Sequence, residues 1–194
     1  TDYNVARVAV YDPQGFGGEA GADFYALHGA QDPSFLAHVR GRASYFPTLV
    51  PALPARFHRL MDGDTLNIGG RAWRCISGYG HAPEHMALFC AELTTLISGD
   101  MVLPRISTNV SVHASEPEAN PLQLFLDSLL RYVELPESTL VLPSHGKPFT
   151  GLATRIVQLQ DHHRERLEEI LQAASDHALS AADTLPILFK RKLD

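Results

Sequence analysis

The chain is poor in cysteine and tryptophan, with two of the first (Cys75, Cys90) and one of the second (Trp73) among 194 residues. Two cysteines allow at most one disulfide, which excludes a disulfide-built miniprotein. Both stand in apolar stretches, and two buried free thiols in a reducing, cytoplasmic setting are expected. Long apolar runs are also lacking. None approaches the ~20 residues that a membrane-spanning helix needs, and no basic segment followed by an apolar one marks a signal peptide. Positive charge is in short supply: 16 Lys+Arg against 22 Asp+Glu leave a formal net charge of −6. That balance argues against a broad nucleic-acid surface. With 45% hydrophobic and 20% charged residues, a disordered chain is excluded, and the length predicts one domain, or one domain plus a small appendage. No repeat or low-complexity tract is present. The first residue is Thr1, not Met, which predicts a piece of a longer translation product. Histidine is over-represented for a chain of this length, with ten copies.

Spacing along the chain predicts the elements. Val5, Val8 and Ala9 sit at helical spacing and Asp12-Pro13-Gln14-Gly15 stops the run. Gly15, Gly17, Gly18 and Gly21 then read as a flexible joint before a second helix with Phe24, Tyr25 and Leu27. No strand precedes these glycines and no Lys-Ser/Thr follows them, so they are not a phosphate loop. Residues 46–56 hold three prolines and read as an irregular connector. Asp62-Gly63-Asp64 is a turn, 65–68 a short strand, Gly69-Gly70 a hairpin turn and 72–77 the return strand. The apolar run 86–91 reads as a strand covered on both faces, and 94–98 as another short strand. Asn120 and Pro121 open a helix over 120–133 with the stripe Leu122, Phe125, Leu126, Leu129, Leu130 and Val133. A strand over 139–142 follows, then a long helix from about Leu152 to Ala174 with the stripe Ile156, Leu159, Leu167, Ile170 and Leu171. Ser180 with Asp183 three positions on marks a last helix start. Trp73 reads as core; His28, His38 and His58 as surface; Lys190 to Lys192 as a solvated tail.

Three of the predicted strands end in the same way, with a candidate metal ligand just beyond the strand. These segments are Gly80-His81-Ala82-Pro83-Glu84-His85, Ser98-Gly99-Asp100 and Pro143-Ser144-His145-Gly146. Sites in α/β proteins gather at strand carboxyl ends, and imidazoles with a carboxylate are a ligand set for zinc, iron or manganese. Taken singly, a histidine after a strand is ordinarily a turn residue and Ser-Gly-Asp an ordinary turn. Taken in order, the three segments match a known pattern.

With Gly78-Tyr79 ahead of the first segment, Leu96-Ile97 ahead of the second and Leu142 ahead of the third, the chain resembles the metallo-β-lactamase superfamily of hydrolases over about residues 60–194. The resemblance implies an α+β fold of the αββα sandwich type, of which this chain would form the C-terminal half. It also implies His81 as ligand of one metal, His145 as ligand of the second and Asp100 as the bridge between them. His85 would hold the loop by hydrogen bonding. The subgroup it resembles carries a C-terminal winged helix, which includes an endoribonuclease. On that reading 1–58 is a helical insert and connector, 59–160 the C-terminal half of the metallo-β-lactamase-like domain, and 161–194 a helix with the start of the winged-helix module.

The family's HxHxDH motif, which supplies three ligands and the catalytic Asp, occurs nowhere in the chain; the adjacent His162 and His163 do not replace it. About six protein ligands make the family's dinuclear site, and three are present here. The expectation is a metal-dependent hydrolase of ester, thioester or lactone bonds in the intact protein, with two divalent ions as cofactors, zinc foremost. The 194 residues alone would form an incomplete fragment. Alternatives are a nuclease acting on RNA and a non-catalytic interaction module. Arg105, Asn109, His113 and Lys147 are candidates to contact a small-molecule substrate, Lys147 an anionic one. An apolar sheet face left uncovered predicts association into a homo-oligomer.

Overall fold

A computed structural model describes residues 6–7, 10–11, 17–42, 48–82 and 84–189. The expected helix over Val5, Val8 and Ala9, its stop at 12–15, Pro83 of the first segment and the basic end at 190–192 lie outside the described residues. The chain divides into two compact units, one of 1–2, 56–112 and 116–160, the other of 3–55, 113–115 and 161–194.

The first unit is built on a five-stranded sheet in the order β1 (Thr65–Ile68), β2 (Arg71–Gly78), β3 (His85–Cys90), β4 (Thr95–Gly99), β5 (Leu140–Pro143). Gly69-Gly70 closes the β1–β2 hairpin, with Ile68 opposite Arg71. Both glycines have positive φ, which is the requirement of the two-residue turn that matches strand twist. All pairs are antiparallel except β4–β5, which is parallel. The parallel pair needs a crossover, and α3 (Pro121–Leu130) lies within it. The Asn120 side chain accepts the Gln123 N–H and Pro121 opens the first turn, as the sequence predicts.

One face of the sheet carries Ile76, Ala87, Phe89, Leu96 and Val141. Phe125 and Leu129 of α3 pack on it, together with Leu152, Ile156 and Leu159 of α4 (Leu152–Ala173). Full burial of side chains of this size stabilises by ~1.5–3 kcal/mol each, so these five fix both helices. Two expected stripes end early. Leu130 and Val133 are exposed, because α3 stops at Leu130 and the following turn sends Tyr132 into the core instead. Leu167 and Leu171 are exposed as well, because the core reaches only the first two turns of α4. Nor is β3 fully covered. Ala87 and Phe89 are buried, whereas Met86 and Leu88 on the opposite face are half-buried. That face continues through Ile97 and Leu142 in register with Leu88, and Ile97 and Leu140 on it are exposed. Trp73 is core, and Cys75 and Cys90 are buried free thiols.

A polar clamp ties the turn before β1 to the end of α3. One Asp62 oxygen accepts the Ser77 N–H at 2.8 Å, and the other pairs with the Arg131 guanidinium. Arg131 also donates to the Ser77 carbonyl (3.0 Å) and hydroxyl (2.7 Å). Burial pushes the Asp62 carboxyl up, but the Ser77 N–H and Arg131 outweigh it and hold it below the usual range. A carboxyl depressed on folding stabilises in full above its unfolded pKa, near 3.9, and that stabilisation is lost as pH falls through the lower folded value. Melting temperature followed from about pH 5 to pH 2 should therefore fall less steeply in Arg131→Met than in the parent chain; equal slopes would assign the acid limb to other carboxylates.

In the second unit α1 (Gly18–Leu27) packs on α2 (Pro33–Gly41), which the Asp32 side chain caps by accepting the Ser34 N–H. The expected glycine joint is a correction: Gly18 and Gly21 lie inside α1, and a Cβ on Gly21 would stand 3.3 Å from Val39 of α2. Close helix approach, not flexibility, uses that glycine. His28 is likewise half-buried, its Nδ1–H donating to the Phe24 carbonyl at 2.7 Å, while His38 and His58 are exposed. Ser180 and Asp183 form a reciprocal capping box at the start of α5 (Ala181–Leu188).

Candidate metal centre

His81 lies three residues beyond β2, on a loop that α3 holds from one side. The Tyr79 N–H donates to the Ser128 hydroxyl at 2.9 Å, and Ser128 in turn donates to the Leu124 carbonyl. Gly80, at φ 95°, presses on the first turns of the same helix. A Cβ there would stand 2.3 Å from the Pro121 carbonyl oxygen and 2.7 Å from Phe125. Only glycine permits this seat.

Asp100 follows β4 after a register shift between Ile97 and Gly99. Bulges of this kind re-aim a side chain at the end of a ladder. The buried Ser98 hydroxyl donates to the Val102 carbonyl at 2.9 Å, which bends the chain behind Asp100. The Asp100 N–H donates to His85 Nε2 at 3.2 Å, and that ring occupies the space a side chain at Gly99 would need, 2.4 Å from an ideal Cβ. With Nε2 accepting, neutral His85 carries its proton on Nδ1, which is buried without a partner among the described residues. Burial first, and then the His81 ring 6.2 Å away, pull the His85 imidazole below its ordinary value against the opposing pull of Asp100.

The parallel β4–β5 pairing sets Ser144 and His145 beside Asp100. The Ser144 N–H donates to the Gly99 carbonyl (3.0 Å) and its hydroxyl to Asp100 Oδ1 (2.5 Å). His145 Nε2 stands 3.5 Å from Oδ1, and His81 Nε2 stands 3.4 Å from Oδ2. One carboxylate thus has a histidine nitrogen at each oxygen. The His81 Nδ1–H donates to the Asn109 carbonyl at 2.8 Å. That bond fixes the tautomer and leaves the Nε2 lone pair free toward Asp100.

These donors suit a divalent ion in kind and in spacing. Two ligands about 2.1 Å from a tetrahedral zinc stand about 3.4 Å apart, which is the separation of each histidine–aspartate pair. They fall short in number. Among the described residues no group of three or more His, Cys, Asp or Glu side chains is disposed to hold a metal by itself. Two pairs sharing Asp100 give two protein ligands per ion, against the three of catalytic zinc sites.

Of the residues singled out in the sequence, His81, His85, Asp100 and His145 converge. Asn109 joins them through its backbone carbonyl, while its side chain accepts from Ser111. Arg105 and Lys147 are exposed, and His113 belongs to the second unit. Sequence reasoning missed the Ser144 hydroxyl on Asp100, although it lies in the Pro-Ser-His-Gly segment. It also missed the Asn109 carbonyl, for which side-chain patterns carry no signal.

A sequence model described as the metallo-beta-lactamase superfamily matches residues 5–145. The crystal structure of a beta-lactamase domain protein from Burkholderia ambifaria superposes with a TM-score of 0.85 at 56% identity, over 90% of this chain and 50% of that one. A probable metallo-hydrolase of Bacillus subtilis is 28% identical over 62% of this chain and 39% of its own length. A hydroxyacylglutathione hydrolase of Pseudomonas entomophila is 29% identical over 78% and 57%. The chain therefore spans about half the length of these relatives, or less.

Proposed function

The chain belongs to the metallo-beta-lactamase superfamily, and from that membership we propose that it contributes one side of a dinuclear hydrolytic site, the other donors lying on polypeptide outside this sequence. The observation that carries the reading is Asp100 with a histidine Nε2 at each carboxylate oxygen. His81 would hold one ion, His145 the other, and Asp100 both. Bound metal ions in such a centre supply Lewis acidity, which lowers the pKa of water and polarises a carbonyl. The residues of this chain do the positioning: Asn109 sets the His81 tautomer, Ser144 and His85 hold Asp100 from two directions, and α3 seats the His81 loop. Relatives named hydroxyacylglutathione hydrolase support a thioester of a small acid as the substrate class. The net charge of −6 favours such a substrate over RNA.

The buried free thiols suit a reducing compartment such as the cytoplasm, and no described helix is long and apolar enough to cross a membrane. The exposed strip at Ile97 and Leu140 supports self-association of the isolated chain.

Zinc titration of the 194-residue chain against a chromophoric chelator tests the reading. A four-ligand zinc site is worth ~10–16 kcal/mol, a dissociation constant from about tens of nanomolar down to picomolar. With two ligands per ion, affinity on the order of micromolar is expected, with no turnover of a glutathione thioester by the chain alone. Tight binding of two zinc ions with turnover would show that the donor set is larger than these three side chains. No binding at millimolar zinc would remove the metal reading altogether.

A further inference from the structure

Arg155, on the second turn of α4, has no acidic partner among the described residues. Its Nε donates to the Leu103 carbonyl at 2.7 Å, one terminal nitrogen to the Ile106 carbonyl at 3.0 Å and the other to the Gln158 side chain at 3.2 Å. The side chain is half-buried and holds two neutral loop carbonyls, and its partial burial pulls the guanidinium down from its usual value. The planar guanidinium fork suits fixing two acceptors at once.

The loop it holds runs from one proposed ligand to the support of another. It leaves Asp100, passes Leu103 and Ile106, and reaches Asn109, whose carbonyl takes the His81 Nδ1–H at 2.8 Å. Its start is fixed by Ser98 on the Val102 carbonyl and by burial of Met101 and Val102. Val110 packs on the core after Asn109. Arg155 grips the stretch between these two anchors, on the side of α4.

We infer that Arg155 is a positioning residue for His81: by holding the Leu103 and Ile106 carbonyls it sets the Asn109 carbonyl where it accepts the His81 Nδ1–H and keeps Nε2 free toward Asp100. The inference rests on the proposed metal site for its purpose, but not for its test, because the tautomer is readable without metal.

The test uses the whole chain with 15N-labelled histidine at pH 8, metal-free, and the long-range 1H–15N spectrum of the imidazoles. In the parent chain His81 is the Nδ1–H tautomer. Arg155→Met keeps the aliphatic stem and removes every donor; His81 should shift to a mixture of tautomers while the His85 signals stay in place. Arg155→Lys, which can hold one carbonyl, should give an intermediate ratio and serves alone if the methionine variant does not fold. Zinc affinity should fall about tenfold in Arg155→Met, the range in which partners behind a ligand act. An unchanged His81 tautomer in a folded variant overturns the inference, whatever zinc does. An altered tautomer with zinc bound by neither chain upholds it and refutes the metal reading instead.

Discussion

Gly80→Ala is expected to destabilise the first unit by about 3 kcal/mol and to dislodge His81 in the same stroke. The methyl group would stand 2.3 Å from a backbone oxygen of α3 and 2.7 Å from both the nitrogen and Cβ of Phe125. Those atoms cannot swing aside as a side-chain tip can. Phe125 is fully buried among the residues that hold the sheet, so moving its helix disturbs the core. Overpacking alone costs ~1–3 kcal/mol, and a backbone at φ 95° adds strain of ~1 kcal/mol or more for any residue with a Cβ. For a chain of this size the melting temperature should drop by roughly 10 °C, read by circular dichroism. A melting curve within two or three degrees of the parent, at about 3 °C per kcal/mol, would show that the 79–81 loop yields without the helix and does not rest on it.

Asp100→Asn should leave the fold nearly intact and weaken zinc binding by more than 100-fold, beyond the ~10–100-fold that partners behind a ligand command. The carboxylate is part-exposed, so losing its charge changes little of the packing. Both histidine nitrogens face its oxygens, and no other carboxylate among the described residues is paired with His81 or His145. An amide of the same shape keeps an oxygen for the Ser144 hydroxyl but removes the one negative charge that both ion positions would share. Competition titration of the variant beside the parent reads the loss. Equal affinities would move the metal away from Asp100 and with it the whole assignment of the centre.

What the sequence made legible followed from signals that are local. The Gly-Gly turn and the short alternating run fixed β1 at 65–68, and Asn120-Pro121 fixed the start of α3. The three strand-end segments could be read as one place because each stands at a carboxyl end. Hydrophobic spacing, by contrast, reports which residues are able to be covered and not what covers them. Leu167 and Leu171 continue the stripe of Ile156 and Leu159, yet the core stops before them. Gly18 and Gly21 have the composition of a joint, but Val39 lies 3.3 Å from where a side chain at Gly21 would begin, and the helix continues. Asn109 reads as a substrate-contact candidate and acts through its backbone carbonyl on His81. Arg155 sits in a helix amid other charged residues, with nothing in its spacing to separate it from them.

The parallel pairing of β4 with β5 has a consequence for the order of events in folding. Every other neighbour in the sheet is reached through a short turn or loop, whereas Gly99 meets Pro143 only after the intervening forty-odd residues, α3 included, have folded back. Closing so long a loop costs entropy before any contact returns it. Asp100 and His145 therefore become neighbours late, once the meander of β1 to β4 has a surface ready to receive the last strand. Until then the two belong to separate stretches of a half-made sheet, so an ion present during refolding meets the His81–Asp100 pair first and gains His145 only after the last strand has docked.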